Sequence, residues 1–97
     1  MNGLLIGRFQ PFHLGHLDAV LFGLARVDEL SICIGSSNKY NEKKNPFSAA
    51  ERREMILSSI EPSIVSRIKI FNIPDVDNHE KWTFEIDQIV PKYDVVF

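Results

Sequence analysis

The sequence holds a single cysteine, Cys33, so no internal disulfide can form, and that usage predicts a reducing, cytoplasmic setting. Apolar runs are short: none approaches the roughly 20 residues that span a bilayer. The N-terminus also lacks the charged-then-apolar pattern of a signal peptide, so no membrane partner is expected. Charge of one sign is not in excess. The formal net charge is −2 and the pI about 5.9, and no basic stripe is visible, which argues against a nucleic-acid partner. Internal repeats, low-complexity tracts and linkers are missing, and 97 residues allow one domain, 1–97. Glycine is sparse and the fingerprint G-x-G-x-x-G is absent, which disfavours an ordinary dinucleotide-dependent dehydrogenase. Carboxylates do not cluster, Cys33 lies in an apolar run and His79 is distant from the other histidines, so no metal site built from protein groups alone is expected.

What is present centres on Gly7-Arg8-Phe9-Gln10-Pro11-Phe12-His13-Leu14-Gly15-His16. It follows the apolar run Leu4-Leu5-Ile6 and leads into a segment of helical periodicity, so it reads as the turn from a first buried strand into a first helix. Open α/β sheets place nucleotide phosphates at that junction. Gly7, with no Cβ, is expected to let a ligand approach the backbone, and Pro11 to stiffen the loop. His13 and His16 are three residues apart and face one side of a first helical turn. A side chain at Gly15, between them, would crowd whatever sits over the helix N-terminus. Neutral imidazoles there, with Arg8 and the positive end of the helix dipole, make a phosphate-binding surface.

The rest of the chain alternates strand and helix. Asn2 to Ile6 is the first strand, apolar without alternation, as in a strand covered on both faces. Leu14, Leu17, Leu21 and Leu24, with Val20 and Ala25, predict a helix to about Val27. Leu30 to Gly35 is a second strand. Residues 36–46 form a polar loop in which Lys39 and Lys43 are expected to be solvated and Lys44, next to Asn45-Pro46-Phe47-Ser48, to be held near the phosphate rim. Ser48-Ala49-Ala50-Glu51 is a capping box opening a second helix to about Ile60, with Met55, Ile56 and Ile60 inward. Arg52 and Arg53 are expected to be solvated or paired with glutamates along the helix. Glu61-Pro62 stops it, and 63–66 allow a short turn. Arg67 to Phe71 alternates and predicts an edge strand. Trp82, Ile86, Ile89 and Val90 predict a third helix that Pro91 ends, and Asp94 to Phe97 starts a fourth strand. The fold class is therefore α/β: a parallel sheet with helices on both faces. A buried strand at the last residue leads us to expect the N-terminal part of a longer protein.

H-x-G-H after a first strand resembles the nucleotidyltransferase superfamily, and the longer G-R-F-Q-P-F-H-x-G-H resembles the archaeal-type nicotinamide-mononucleotide adenylyltransferases. Three further segments are similar to that family: Ile32 to Ser36 to its second strand, Asn45 to Arg52 to its D-P-F-T-A-G-E-R, and Ile73 through Trp82 to its nicotinamide loop. The resemblance implies a Rossmann-like nucleotidyltransferase fold. The implied reaction is adenylyl transfer, in which the 5′-phosphate of nicotinamide mononucleotide attacks the α-phosphorus of ATP, giving NAD and pyrophosphate; the alternatives are another nucleotidyltransferase of the FMN, pantetheine-phosphate or cytidylyl type, or a truncated nucleotide-binding module without catalysis. It implies ATP or phosphate contacts at Gly7, Arg8, Phe9, Gln10, His13, Gly15, His16 and Lys44, with His13, His16 and Arg8 carrying the chemistry. Contacts to nicotinamide mononucleotide are implied at Ser36, Asp75, Val76 and Trp82, although Trp82 at helical spacing also reads as core packing. Mg²⁺ is implied only as an ion carried by ATP, and a homo-oligomer, a hexamer in the family, for the complete protein. Two departures stand out. Lys44 replaces an arginine common in the family and lacks its bidentate fork. The family's C-terminal signature I-S-G-T-x-I-R, which completes the triphosphate site, is not among these residues.

Overall fold

The computed structural model describes residues 1–75 and 79–97. Four parallel strands are built: β1 (Asn2–Gly7), β2 (Glu29–Ile34), β3 (Ile68–Asn72) and β4 (Val95–Val96). Their order is β3-β2-β1-β4, so β1 and β2 lie in the middle. That is why both read as continuous apolar runs, and why alternating β3 lies at an edge, as its pattern predicts. β1 and β2 are in register from Asn2 opposite Glu29 to Gly7 opposite Ile34. The helices are α1 (Leu14–Leu24), α2 (Ala49–Ser59), α3 (Pro62–Val65) and α4 (His79–Ile89). None among the described residues is long and apolar enough to cross a membrane.

Two apolar clusters flank the sheet. One joins Leu5, Leu30, Ile32 and Ile34 to Val20 and Leu24 of α1 and Ile56 of α2; the other joins Leu4 and Cys33 to Ile73, Ile86 and Val90 beside α4. Successive strand residues point to opposite faces, so Leu4 and Leu5 serve different clusters and helices cover both sides, as expected. The inward face of α1 differs from the leucine stripe. Val20, Gly23 and Leu24 are buried, whereas Leu14 is 78% exposed and Leu21 46%. The contact is set at Gly23, where an added Cβ would meet the Phe97 ring at 3.2 Å, so this small residue marks the closest approach. Leu17 and Leu21 instead line a shallow groove with Ile60 and Ile64. The helix also ends at Leu24, earlier than expected: its last carbonyls are taken by the N–H groups of Ala25, Arg26 and Val27, and by Arg67 Nη2 on Leu24 O at 2.5 Å. The turn expected over 63–66 is α3, with Pro62 at its first position, where the lost N–H had no helical partner.

Candidate functional site

The C-terminal ends of β1 and β2 are joined by a bond from Gly35 N–H to Gly7 O, 2.7 Å. Both loops therefore start from one rim, the place where open parallel sheets take ligands. The loop after β1 folds back on itself. Phe9 adopts a left-handed backbone, φ 54°, and drives its ring to full burial. A Cβ on Gly7 would lie 2.6 Å from that ring. The Cβ direction at Gly7 is thus filled by Phe9, whose side chain belongs to the core. Gln10 is likewise engaged: its Nε2 donates to Phe47 O and its Oε1 accepts from Phe47 N–H, both at 2.9 Å. It staples the loop to the segment before α2.

His13 is the N-cap of α1. Its Nδ1 accepts from Gly15 N–H, and His13 N–H donates to Nδ1 of His16, each at 3.1 Å. The two imidazoles stand where a serine and a glutamate stand in the usual reciprocal cap. With both Nδ1 atoms accepting, these hydrogen bonds assign the proton of each neutral ring to Nε2. The rings stack with centroids 3.7 Å apart and 23° between planes, and His16 also packs on Phe9 at 4.9 Å and Phe12 at 5.6 Å. Burial, and secondarily the neighbouring His13, hold the His16 pKa below its ordinary 6.5. That favours the uncharged form of His16, and in each ring the Nε2 position is left unused by the backbone. A Cβ on Gly15 would meet the His13 ring at 3.0–3.2 Å, so the glycine makes room for that ring. The first turn of α1 carries no acidic residue to compete with an anion there.

Arg8 reaches across to the second loop, where its Nη2 donates to Oδ1 of Asn45. Asn45 is buried and its Nδ2 donates to Glu42 Oε2 at 3.1 Å, which fixes the amide orientation. Asn45 is a site residue the sequence argument passed over; its place immediately before Pro46-Phe47 was the available signal. Lys44, expected at the rim, is exposed, and Asn45 takes the inward position. Arg52, expected to be solvated or paired with glutamates along the helix, is 0% exposed and in neither role. Its guanidinium donates to the carbonyls of Arg8, Gly35, Ser36, Lys39 and Ser48, binding both loops to α2. Burial, then the charge of Arg8, lower its pKa, yet a guanidinium starts high enough to stay protonated.

On the β2 side, Ser36 has φ 50° and its Oγ donates to Asp75 Oδ1 at 2.7 Å, while Asp75 N–H donates to Asn38 Oδ1 at 3.0 Å. Ser36 and Asp75, 39 residues apart in sequence, are thus in contact. Val76 lies outside the described residues. Trp82 sits on α4, partly buried against the cluster of Leu4, Cys33, Ile73, Ile86 and Val90, so its packing role is present. No group of three or more His, Cys, Asp or Glu side chains able to hold a metal occurs among the described residues.

Comparison with known proteins shows the family to which the chain belongs. The chain is 46% identical over 98 residues to a nicotinamide-nucleotide adenylyltransferase of Saccharolobus solfataricus, covering 99% of this chain and 57% of that protein. It is 40% identical to the protein of the same name from Thermococcus sibiricus, covering 100% of this chain and 53% of that one. The chain thus spans about half the length of the curated relatives it matches. Among solved structures, a bifunctional NMN adenylyltransferase/ADP ribose pyrophosphatase from Francisella tularensis, complexed with AMP and a manganese ion, superimposes with a TM-score of 0.84 at 33% identity, over 90% of this chain and 26% of that one. The sequence profile described as cytidylyltransferase-like matches residues 4–92, and the chain belongs to that family.

Proposed function

We propose that the protein carrying these residues transfers the adenylyl group of ATP to the 5′-phosphate of nicotinamide mononucleotide, forming NAD and releasing pyrophosphate. The observation that carries this reading is the stacked His13–His16 pair at the start of α1, each ring with its Nδ1 engaged by backbone and its Nε2–H unused. Donors fixed in advance suit a phosphate on which negative charge grows, because nothing has to reorganise during the reaction. Arg8, tethered by Asn45, adds a fixed positive charge on the same rim. The names of the relatives and of the solved neighbour support adenylyl transfer and the nicotinamide acceptor.

The acceptor phosphate is a nucleophile near pH 7, so no general base is needed, and no enzyme-bound intermediate is invoked. The chain's work is to hold the two phosphates in line and to stabilise charge on the α-phosphate and on the departing pyrophosphate. Ser36 and Asp75 are positioned to face the acceptor nucleoside, with the Asp75 carboxylate able to accept from a carboxamide. The divalent ion is Mg²⁺ carried on the triphosphate, which fits a donor set without a metal-holding cluster among the described residues. The setting is the cytoplasm, where both nucleotides are available.

The test is acceptor competition in the intact protein, with nicotinamide mononucleotide, FMN and pantetheine phosphate offered against ATP, and CTP offered in place of ATP. NAD formation with the other acceptors silent supports the reading; preferential use of FMN, pantetheine phosphate or CTP replaces it. His16→Ala should lower kcat far more than affinity for the acceptor, and an active variant removes His16 from the mechanism.

A further inference from the structure

The most deeply buried charged side chain has no place in the chemistry above. Arg52 is fully enclosed, and neither ion pair found among the described residues includes it. A guanidinium offers five N–H donors in a planar fork, and five carbonyls receive it. Nε donates to Ser48 O at 3.1 Å; Nη1 donates to Arg8 O at 3.0 Å and Gly35 O at 2.8 Å; Nη2 donates to Ser36 O at 3.1 Å and Lys39 O at 3.2 Å. Every direction is used, so Arg52 has nothing left for a phosphate and cannot be a substrate contact. Enclosing a cation opposite no carboxylate is unfavourable, and packing alone does not call for it.

The arrangement of the five acceptors gives the group its meaning. Arg8 O belongs to the loop after β1, which bears the histidine pair. Gly35 O, Ser36 O and Lys39 O belong to the loop after β2, where Ser36 meets Asp75. Ser48 O is the cap of α2. Nη1 bridges the two loops through one nitrogen, Arg8 O on one side and Gly35 O on the other. Side chains also tie these segments: Arg8 to Asn45 and Gln10 to Phe47 join the loop after β1 to the loop before α2, and Ser36 to Asp75 joins the loop after β2 to the segment after β3. Among these ties Arg52 is the one that holds the main chains of both loops and of α2 from a single buried group, beside the Gly35–Gly7 backbone bond.

We propose that Arg52 is a positioning residue for the transfer, fixing the phosphate-side loop against the acceptor-side loop so that the two substrates meet in line. The proposal rests on the function proposed above. It separates two quantities that are commonly lost together. Each half-site keeps its own ligands without Arg52, so binding of either nucleotide alone persists; what is lost is their mutual alignment, and a displacement of about 1 Å is worth about 100-fold in rate.

The experiment uses the intact protein with Arg52→Lys, which keeps the charge and loses the fork, and Arg52→Ala, with and without added guanidinium ion. In Arg52→Lys, kcat should fall about 100-fold while the dissociation constants of ATP and nicotinamide mononucleotide, each measured alone by calorimetry, change by no more than about threefold. In Arg52→Ala, millimolar guanidinium should recover part of kcat and methylammonium should not. Unchanged turnover in Arg52→Lys, or an equal loss of binding and turnover, overturns the proposal. Should both variants fail to fold, the unsubstituted protein decides through the NMR signal of Arg52 Nε–H. A slowly exchanging signal that shifts on adding either AMP or nicotinamide mononucleotide alone upholds the bridge, and a signal indifferent to both overturns it. No NAD from the unsubstituted protein counts against the function proposed above, and the NMR measurement then judges Arg52 separately.

Discussion

Gly15→Ala separates stability from activity more cleanly than any other single change in the loop. Gly15 lies in the first turn of α1 and its φ is not in the left-handed region, so alanine fits the backbone. Helix propensity then favours the substitution by up to about 1 kcal/mol. Against this, the new Cβ would meet His13 Cε1 at 3.0 Å and Nδ1 at 3.2 Å, so the exposed ring must give way by a few tenths of an ångström. That movement strains the bond from Gly15 N–H to His13 Nδ1, a cap worth about 1 kcal/mol. The two terms nearly cancel, and the melting temperature should move by only a few degrees. Activity should not be spared. The ring that moves stacks on His16, and the bond that is strained is the one assigning its proton to Nε2. Loss of one preorganised donor to developing phosphate charge lowers kcat by about 10²-fold. The assay is pyrophosphate release by the intact protein, beside thermal unfolding followed by circular dichroism. A variant with unaltered kcat refutes the assignment of His13 as a fixed donor. A collapse in stability refutes the claim that the new atom meets only that ring.

Gly7→Ala should be far more damaging to the fold, because its Cβ must displace the buried Phe9 ring; overpacking of this kind costs about 1–3 kcal/mol. The urea midpoint reports it, and an unshifted midpoint contradicts the packing described. Stability should also fall as the medium is acidified. The folded state holds His16 below its ordinary 6.5, so the unfolded chain binds more protons in that window. This contribution is fully present above about pH 6.5 and is lost as pH drops through the lower folded value; His16→Gln should flatten that part of the profile, and an equal slope in both proteins excludes His16 as its source. Trp82→Ala should lower stability by about 2 kcal/mol, roughly half the loss for a fully buried aromatic, and should weaken acceptor binding while sparing ATP. Unaltered acceptor affinity leaves Trp82 with its packing role alone.

The edge position of β3 and the shared rim at the ends of β1 and β2 were readable because they depend on local pattern. Unbroken apolar runs marked β1 and β2, alternation marked the β3 edge, and strand–Gly–Arg followed by two histidines marked the rim. The capping box at Ser48 was equally local and forms as written. What sequence could not show is where distant main-chain groups converge. Arg52 follows a capping glutamate and looks like any surface arginine; its burial depends on carbonyls 4 to 44 residues away, whose direction only the folded loops define. The same holds for Asn45 and Lys44, adjacent residues of which the neutral one turns inward to Arg8. In α1, leucine periodicity suggested one face, but the approach of Phe97 at Gly23 rotated the contact toward Val20 and Leu24.

All five acceptors of Arg52 are main-chain oxygens. A carbonyl is supplied by every amino acid, so the anchor imposes no side-chain identity on positions 8, 35, 36, 39 or 48, only a path for the backbone. These main-chain contacts therefore survive side-chain changes at those positions, unlike the ties of Arg8 to Asn45 and Gln10 to Phe47, which depend on composition. The side-chain identity that this anchor requires is confined to one residue on α2, outside both loops, while loop positions that take no part in the other ties are open to evolutionary trial.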